Sequence, residues 1–350
     1  MRLLFFIIVF VFSNLLAAQD VHFSQIYNSP LTLNPALTGL FFGDQRATLN
    51  FKDQWRSIGK TYRTYAASYD QGILKKKMKH SYLGIGGYVF ADKAGDLNMG
   101  KTSAQLNFSG IIELNSNQML SAGMYASYSQ HSIDFTAGQW DSQFNGDIYD
   151  ALLPSNETEL NTNSWANADV GVGLNWYYEQ GEATLSSYDA FRINIGVSAS
   201  HLNRPKLNYL LGNSIVQENL DMKFLIHGIS FIGLSNTNTS LNPSFSVSLQ
   251  GSSTEIVTGL LYRIRIREAS KYTGFFKEAA WAFGLHYRWR DAVVPALFFE
   301  FDNFALGVSY DTNISGLNAS TNLNGGFEIS LRFINPNPFR YSRRSNKPSL

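Results

Sequence analysis

Six histidines are the first residues of this chain that could do acid–base or metal chemistry: His22, His80, His131, His201, His227 and His286. No two of them stand at the helical or hairpin spacing that a zinc site uses. His201 and His286 fall in or at the ends of segments that alternate in polarity, where a histidine fits a lumen or interface position. His131 and Ser132 are chain neighbours near such a segment's end, but a nucleophile needs its base across space, which adjacency does not supply. The expectation is therefore no catalytic residue, no metal ligand, no cofactor and no enzymatic activity.

Other motifs reduce to structural roles. Asp311-Thr312-Asn313-Ile314-Ser315-Gly316 opens like a calcium loop. Its twelfth position is Asn322, where that loop needs a bidentate Glu, so a turn rich in Asn and Gly is expected. The pairs Gly84/Gly86 and Gly171/Gly173 lack the third spaced glycine of a nucleotide loop and suit close packing or a lumen-facing position. The run Lys75-Lys76-Lys77-Met78-Lys79-His80 reads as a solvated turn, with a phosphate contact as its sharper alternative. One aromatic set is a candidate for binding. Trp140, Phe144 and Tyr149 lie among polar residues in a long connection, 133–165, and exposed aromatics often anchor interfaces.

The elements that would position these residues are strands. Ser103, Gln105, Asn107 and Ser109 alternate with Ala104, Leu106, Phe108 and Gly110. Leu120, Ala122, Met124, Ala126 and Tyr128 oppose Ser121, Gly123, Ser127 and Ser129, and the pattern returns at 167–176, 191–200 and 327–333. Each run suits a tilted membrane strand of about 9–11 residues. The polar face is small and uncharged, whereas a solvent-washed sandwich face would carry more Lys and Glu. Aromatics gather at run ends, as in Trp176-Tyr177-Tyr178 and Tyr287-Arg288-Trp289, where interfacial girdles belong.

Composition agrees. Of 350 residues only 16% are charged, against about a quarter in soluble proteins. A net charge of +1 creates no field for nucleic acid. The absence of cysteine excludes disulfides, thiol catalysis and lipoprotein processing. Arg2, the apolar run Leu3 to Phe12 and Leu16-Ala17-Ala18 read as an export signal over 1–18, with Gln19 as the first mature residue. A membrane position without helices requires a closed barrel.

The expected fold is all-β, a transmembrane antiparallel barrel of about 14 strands over 45–333. The expected strands are 45–55, 61–71, 81–92, 99–114, 118–132, 166–178, 190–202, 222–233, 243–251, 254–266, 279–290, 292–302, 303–311 and 325–333. A periplasmic start places the long connections 133–165, 203–221 and 312–324 outside. Two segments lie outside the barrel by this reading. One is irregular, 19–44, broken by Pro30 and Pro35; the other is a basic tail, 334–350, with Pro336, Pro338 and Pro348.

At this point the chain resembles a known family. HFSQIYNSPLTLNPALTG at 22–39 and FKDQWRSIGKTYRTYAASYD at 51–70 resemble the start of the PorP/SprF proteins of type IX secretion. GVSASHLNRPKL at 196–207, LNPSF at 241–245, VSYDTNISGL at 308–317 and FEISL at 327–331 continue the likeness in order. It runs from about Gln19 to Phe333, and the basic tail departs from it. The resemblance implies an outer-membrane protein of secreting and gliding Bacteroidota that presents or retains a large secreted surface protein, an adhesin. Periplasmic secretion or gliding components and outer-membrane lipid are its further implied partners.

About fourteen strands enclose more space than Ser, Asn and Gly can fill, so the lumen must hold water, a plug or a partner. A passive porin is the rival function. It predicts charge rings, and the alternating faces show only isolated charges such as Asp169 and Arg192. A barrel that holds a protein partner, through long outer loops or residues 19–44, fits better.

Overall fold

The computed structural model describes residues 23–56, 61–75, 77–78, 80–154, 163–180, 190–211, 214–267, 277–316 and 323–335. The export segment 1–18 and the tail beyond residue 335 lie outside the described residues. The strands are β1 (Gln45–Gln54), β2 (Tyr62–Ile73), β3 (Ser81–Ala94), β4 (Met99–Asn115), β5 (Gln118–Ile133), β6 (Asn163–Gln180), β7 (Phe191–Ser200), β8 (Lys206–Leu211), β9 (Ser214–Asn219), β10 (Lys223–Gly233), β11 (Thr239–Gln250), β12 (Ser253–Arg267), β13 (Ala279–Arg288), β14 (Ala292–Phe301), β15 (Phe304–Asn313) and β16 (Asn324–Asn335). Fourteen of them close into one antiparallel barrel, and β8 and β9 form a separate hairpin.

Closure joins β1 to β16, from Gln45 opposite Asn335 to Gln54 opposite Gly326. Every barrel strand therefore has a neighbour on both sides, as a sheet without water around it requires. Among the described residues no helix is long and apolar enough to cross a membrane.

The two faces separate by residue type. Leu106, Phe108 and Ile112 of β4 are exposed on the barrel's exterior, while Ser103, Asn107 and Ser109 are buried inside. Val170, Val172 and Leu174 of β6 face out, whereas Asp169 and Asn175 face in. Placing Arg at Leu106 or Val172 is therefore expected to weaken the barrel by about 2–4 kcal/mol near the midplane, read as a smaller heat-modifiable fraction on gels. Asn107→Ser, inside, is the mild control. Gly171 is not a tolerant inside position, because a Cβ there would strike the Tyr125 ring.

Two prolines sit within barrel strands, and each marks a lapse in the ladder. Pairing of β10 with β11 stops at Ile229–Ser244 and resumes at Ile232–Leu241, across Pro243. Pairing of β14 with β15 stops at Val293–Thr312 and resumes at Ala296–Ser309, across Pro295. A residue without an N–H is tolerated where the neighbour asks for none.

Three features differ from the sequence reading. The connection 203–221 contains the β8–β9 hairpin rather than an unstructured loop. Strand β16 continues to Asn335, so the barrel wall extends past residue 333. Most importantly, the N-terminal segment does not lie outside the barrel. From Phe23 to Leu40 every residue is buried except Tyr27 and Thr32, which are half-buried, and the segment occupies the bore. Its own structure is short: a 3-10 turn at Ile26–Asn28, one helical turn at Pro30–Leu33 and a 3-10 turn at Pro35–Leu37.

Candidate functional site

The plug runs lengthwise through the lumen. Gly43 and Asp44 lie at the end that holds the β2–β3 connection and Asn335, since Lys75 Nζ donates to the Gly43 carbonyl at 2.7 Å and Asp44 N to the Asn335 carbonyl at 2.8 Å. Ser24 lies towards the opposite end, where Arg288 Nη1 reaches its hydroxyl at 3.2 Å. That opposite end also carries the two longest connections, 134–162 and 201–222, and long connections face outward in barrels of this type.

Inside a lumen every backbone polar group needs a partner, and the wall supplies it. Ser24 N donates to the Glu328 carboxylate at 2.9 and 3.0 Å, and its hydroxyl donates to Asp311 at 3.0 Å. Gln25 Nε2 donates to Ser309 at 2.9 Å, and Asn28 Nδ2 donates to Ser330 at 2.7 Å. Asn34 Nδ2 reaches the carbonyls of Leu174 and Val197 at 3.0 and 3.1 Å and His227 Nε2 at 3.2 Å. Ser198, Ser121 and Ser109 donate to the carbonyls of Leu33, Ala36 and Thr38 at 2.6–2.8 Å. The Tyr27 hydroxyl donates to the Asn242 carbonyl, beside the ladder lapse at Pro243. The small polar lumen residues are thus the plug's hydrogen-bond sockets.

Apolar contact completes the seal. Ile26, Leu33, Leu37 and Leu40 pack with the inward-facing Tyr82, Ile111, Tyr177 and Leu225. A fully buried Leu or Ile side chain contributes about 1.5–3 kcal/mol relative to exposure. Glycines make the fit possible. A Cβ at Gly123 would stand 2.5 Å from the Pro35–Ala36 backbone, and one at Gly84, Gly173 or Gly307 would collide with Thr38, Asn34 or Gln25. Gly84 and Gly173, singled out in the sequence, are therefore plug clearances.

Charges line the bore in pairs, unlike the isolated charges expected from the sequence. Arg46 binds Asp70 through Nε at 2.9 Å and Nη2 at 2.8 Å, and Asp70 also accepts from Gly39 N at 2.7 Å. Lys52 lies 2.9 Å from Glu328, and Arg288 lies 2.7 Å from Asp311. Arg263 bridges Glu278 and Glu300 at 3.0 and 2.7 Å. At the inner mouth Arg46 stands over the Phe41 ring at 4.5 Å, and Arg192 over Phe42 at 5.6 Å. Lys75, read from the sequence as part of a solvated run, also turns in over Phe41, at 5.8 Å.

The histidines divide by role. His227 and His286 are fully buried against the plug, the latter edge-on to Tyr27 at 6.1 Å between ring centroids. His131 stacks on Trp165 at 5.3 Å, and His80 is exposed near Glu113. His201 Nδ1 lies 2.9 Å from Asp169, whose carboxylate also accepts from the Tyr125 hydroxyl at 2.7 Å. His22 lies outside the described residues. Asp311, from the calcium-like stretch, is committed to Arg288, Lys52 and Ser24.

The aromatic set falls in the outer connection after β5. Phe144 and Tyr149 form an antiparallel bridge and are 56% and 39% exposed, with the Tyr149 hydroxyl 3.2 Å from Gln143. Trp140 is half-buried against Gly138. Ile148 and Leu152, which the sequence reading passed over, are 66% and 94% exposed beside them. Asp134 N donates to the Leu97 carbonyl at 2.9 Å, which ties the start of this connection to the β3–β4 turn.

A closed fourteen-stranded barrel, apolar outside and polar within, is an integral outer-membrane protein. The family model for the type IX secretion system membrane protein PorP/SprF matches residues 15–333, and the chain belongs to that family. No curated protein matches the chain. Similar solved structures include the translocator domain of autotransporter NalP from Neisseria meningitidis, at 9% identity and TM-score 0.43, covering 83% of this chain and 87% of that one. CdiB from Acinetobacter baumannii has 8% identity and TM-score 0.41, covering 83% and 60% respectively.

Proposed function

We infer that this outer-membrane protein works at the outer face, presenting or anchoring a large secreted surface protein of adhesin type. The observation that carries this reading is a bore filled by the chain's own residues 23–43 while apolar side chains stand on an outer loop. A filled bore disfavours a passive porin, and a barrel that passes no solute acts through its ends. Phe144, Ile148, Tyr149 and Leu152 expose large apolar side chains on this one loop, the kind of surface that marks a protein contact. Membership of a type IX secretion family supports secreted cargo and secretion components as partners, with gliding components among them. The reading is non-enzymatic, because Tyr125 joins the Asp169–His201 pair on the carboxylate and not as a nucleophile on the imidazole.

The test shortens 134–162 to a four-residue turn, far below its present length but ordinary for a hairpin. The expected outcome is a barrel that still inserts and a surface protein lost to the medium. Unchanged retention by an inserted barrel would remove this loop from the contact. Recovery of the barrel alone in affinity capture, with solute uptake through it, would favour the porin.

A further inference from the structure

Beside the plug, on the side of β3 to β7, the bore keeps one small pocket open towards its outer end. Above the plug residues Leu31–Pro35 lies a cavity of about 100 Å³ that opens to solvent, walled by the inward faces of β3 to β7 and the start of β10. We propose that this outward-facing vestibule is a saccharide-binding site, centred on Asp169, Tyr125 and His201. The proposal goes beyond the retention reading and stands without it.

Asp169 marks the site. Its residue is only 6% exposed and it lines the cavity. One carboxylate oxygen accepts from Tyr125 and has His201 Nδ1 2.9 Å away; the other, Oδ1, is buried with no hydrogen-bond partner. A buried acceptor without a donor is rare in folded proteins and asks for a ligand or an ordered water. The surrounding chemistry narrows the ligand. Lys101 and Lys223 offer cationic donors, and Ser127 and Ser200 offer hydroxyls that both donate and accept. Tyr88 and Phe90 place aromatic rings in the same wall, with Lys101 5.5 Å above the Phe90 ring.

A saccharide presents what such a wall can use: hydroxyls that donate and accept, and C–H faces for rings. An extended peptide would instead ask for a free strand edge or a row of apolar sockets. The wall strands β4 and β5 are paired on both sides along the cavity, and the edge of β6 before Val172 is covered at Ala168 and Val170 by Leu202 and Asn203, so no open strand edge is on offer there.

The test uses the full chain in detergent, titrated separately with maltotetraose, tetra-N-acetylchitotetraose, tetragalacturonate and a capped Ser/Thr-rich decapeptide. Binding is read by saturation-transfer NMR and calorimetry. At least one saccharide is expected to bind, and Asp169→Asn is expected to weaken it about tenfold or more, the scale of one lost hydrogen bond to a charged group. Phe90→Leu, which leaves every charge in place, should weaken the same saccharide, and a heat-modifiable band certifies each variant as folded. Lipopolysaccharide from the same membrane and its delipidated glycan are added as further arms. Binding of both supports a glycan ligand, and binding of the intact form alone supports a lipid-linked one. If no saccharide binds, if both variants bind as tightly as the parent, or if the decapeptide binds in their place, the proposal is overturned.

Discussion

Deleting residues 23–41 will turn a sealed barrel into a conducting one. Eight strands fill with side chains and sixteen or more leave a channel, so fourteen strands without a plug fall on the open side. The wall should survive the deletion, because the pairs that cross between strands do not need the plug. Arg46 keeps Asp70, Lys52 keeps Glu328, and Arg288 keeps Asp311. What is lost is the apolar cluster around Ile26, Leu33, Leu37 and Leu40 and the sockets that held their backbone. In planar bilayers or swelling proteoliposomes, permeability is expected to rise on the order of tenfold over the parent, which should stay near the bare-lipid level. A parent that already conducts as strongly as the deletion would show that residues 23–41 do not seal the bore.

The strands were readable because alternation is local. Ser103 to Gly110 declares its faces within one strand, and the barrel exterior follows directly. The ends of strands were less readable. β6 runs from Asn163 to Gln180 in place of 166–178, since its outer rungs pair only with β5 and carry no apolar pattern of their own. The β8–β9 hairpin was missed for a related reason: its six-residue strands lie inside a connection and not in the wall.

The plug was not readable from periodicity, because its contacts are distant in the chain. Ser24 and Glu328 are 304 residues apart, and nothing local announces their bond. A signal did exist in composition. Between Asp20 and Asp44 there is no Asp, Glu, Lys or Arg, while Ile26, Leu31, Leu33, Leu37 and Leu40 recur among Ser, Asn and Thr. An uncharged segment of that mixture suits an amide- and hydroxyl-lined bore better than open water. The inward glycines Gly84, Gly123, Gly173 and Gly307 carried the complementary signal, since a ligand or backbone must approach closely where a strand omits its side chain. The lumen's ion pairs were hidden in the same way: Arg46, Lys52 and Arg263 look isolated in their strands until the barrel closes.

The second large effect concerns the seam where the barrel closes. Glu328 of β16 stands directly opposite Lys52 of β1, and both side chains are almost wholly buried. Removing Glu328 leaves Lys52 only the longer contact to Asp311 at 3.8 Å, an undercompensated buried charge that costs up to about 3–5 kcal/mol. Glu328→Leu should therefore lower the unfolding free energy by about that amount, read from the urea midpoint of tryptophan fluorescence in detergent. Lys52→Met in the same chain removes the stranded charge, and most of the loss should return. Recovery should stay incomplete, because Glu328 also accepts from the amides of Ser24 and Gln25, and two donors would remain buried without it. An unsatisfied buried donor costs about 1–3 kcal/mol, so the shortfall measures how firmly the seam holds the plug. In the chain lacking residues 23–41 that shortfall has no source, and the double variant should match its own parent. If Glu328→Leu lies within about 1 kcal/mol of the unmodified chain, the pair has only the value of a solvated surface bridge. Water would then reach this height of the lumen, and the plug's outer anchor would be the hydroxyl and carboxamide contacts of Ser24, Gln25 and Asn28 alone.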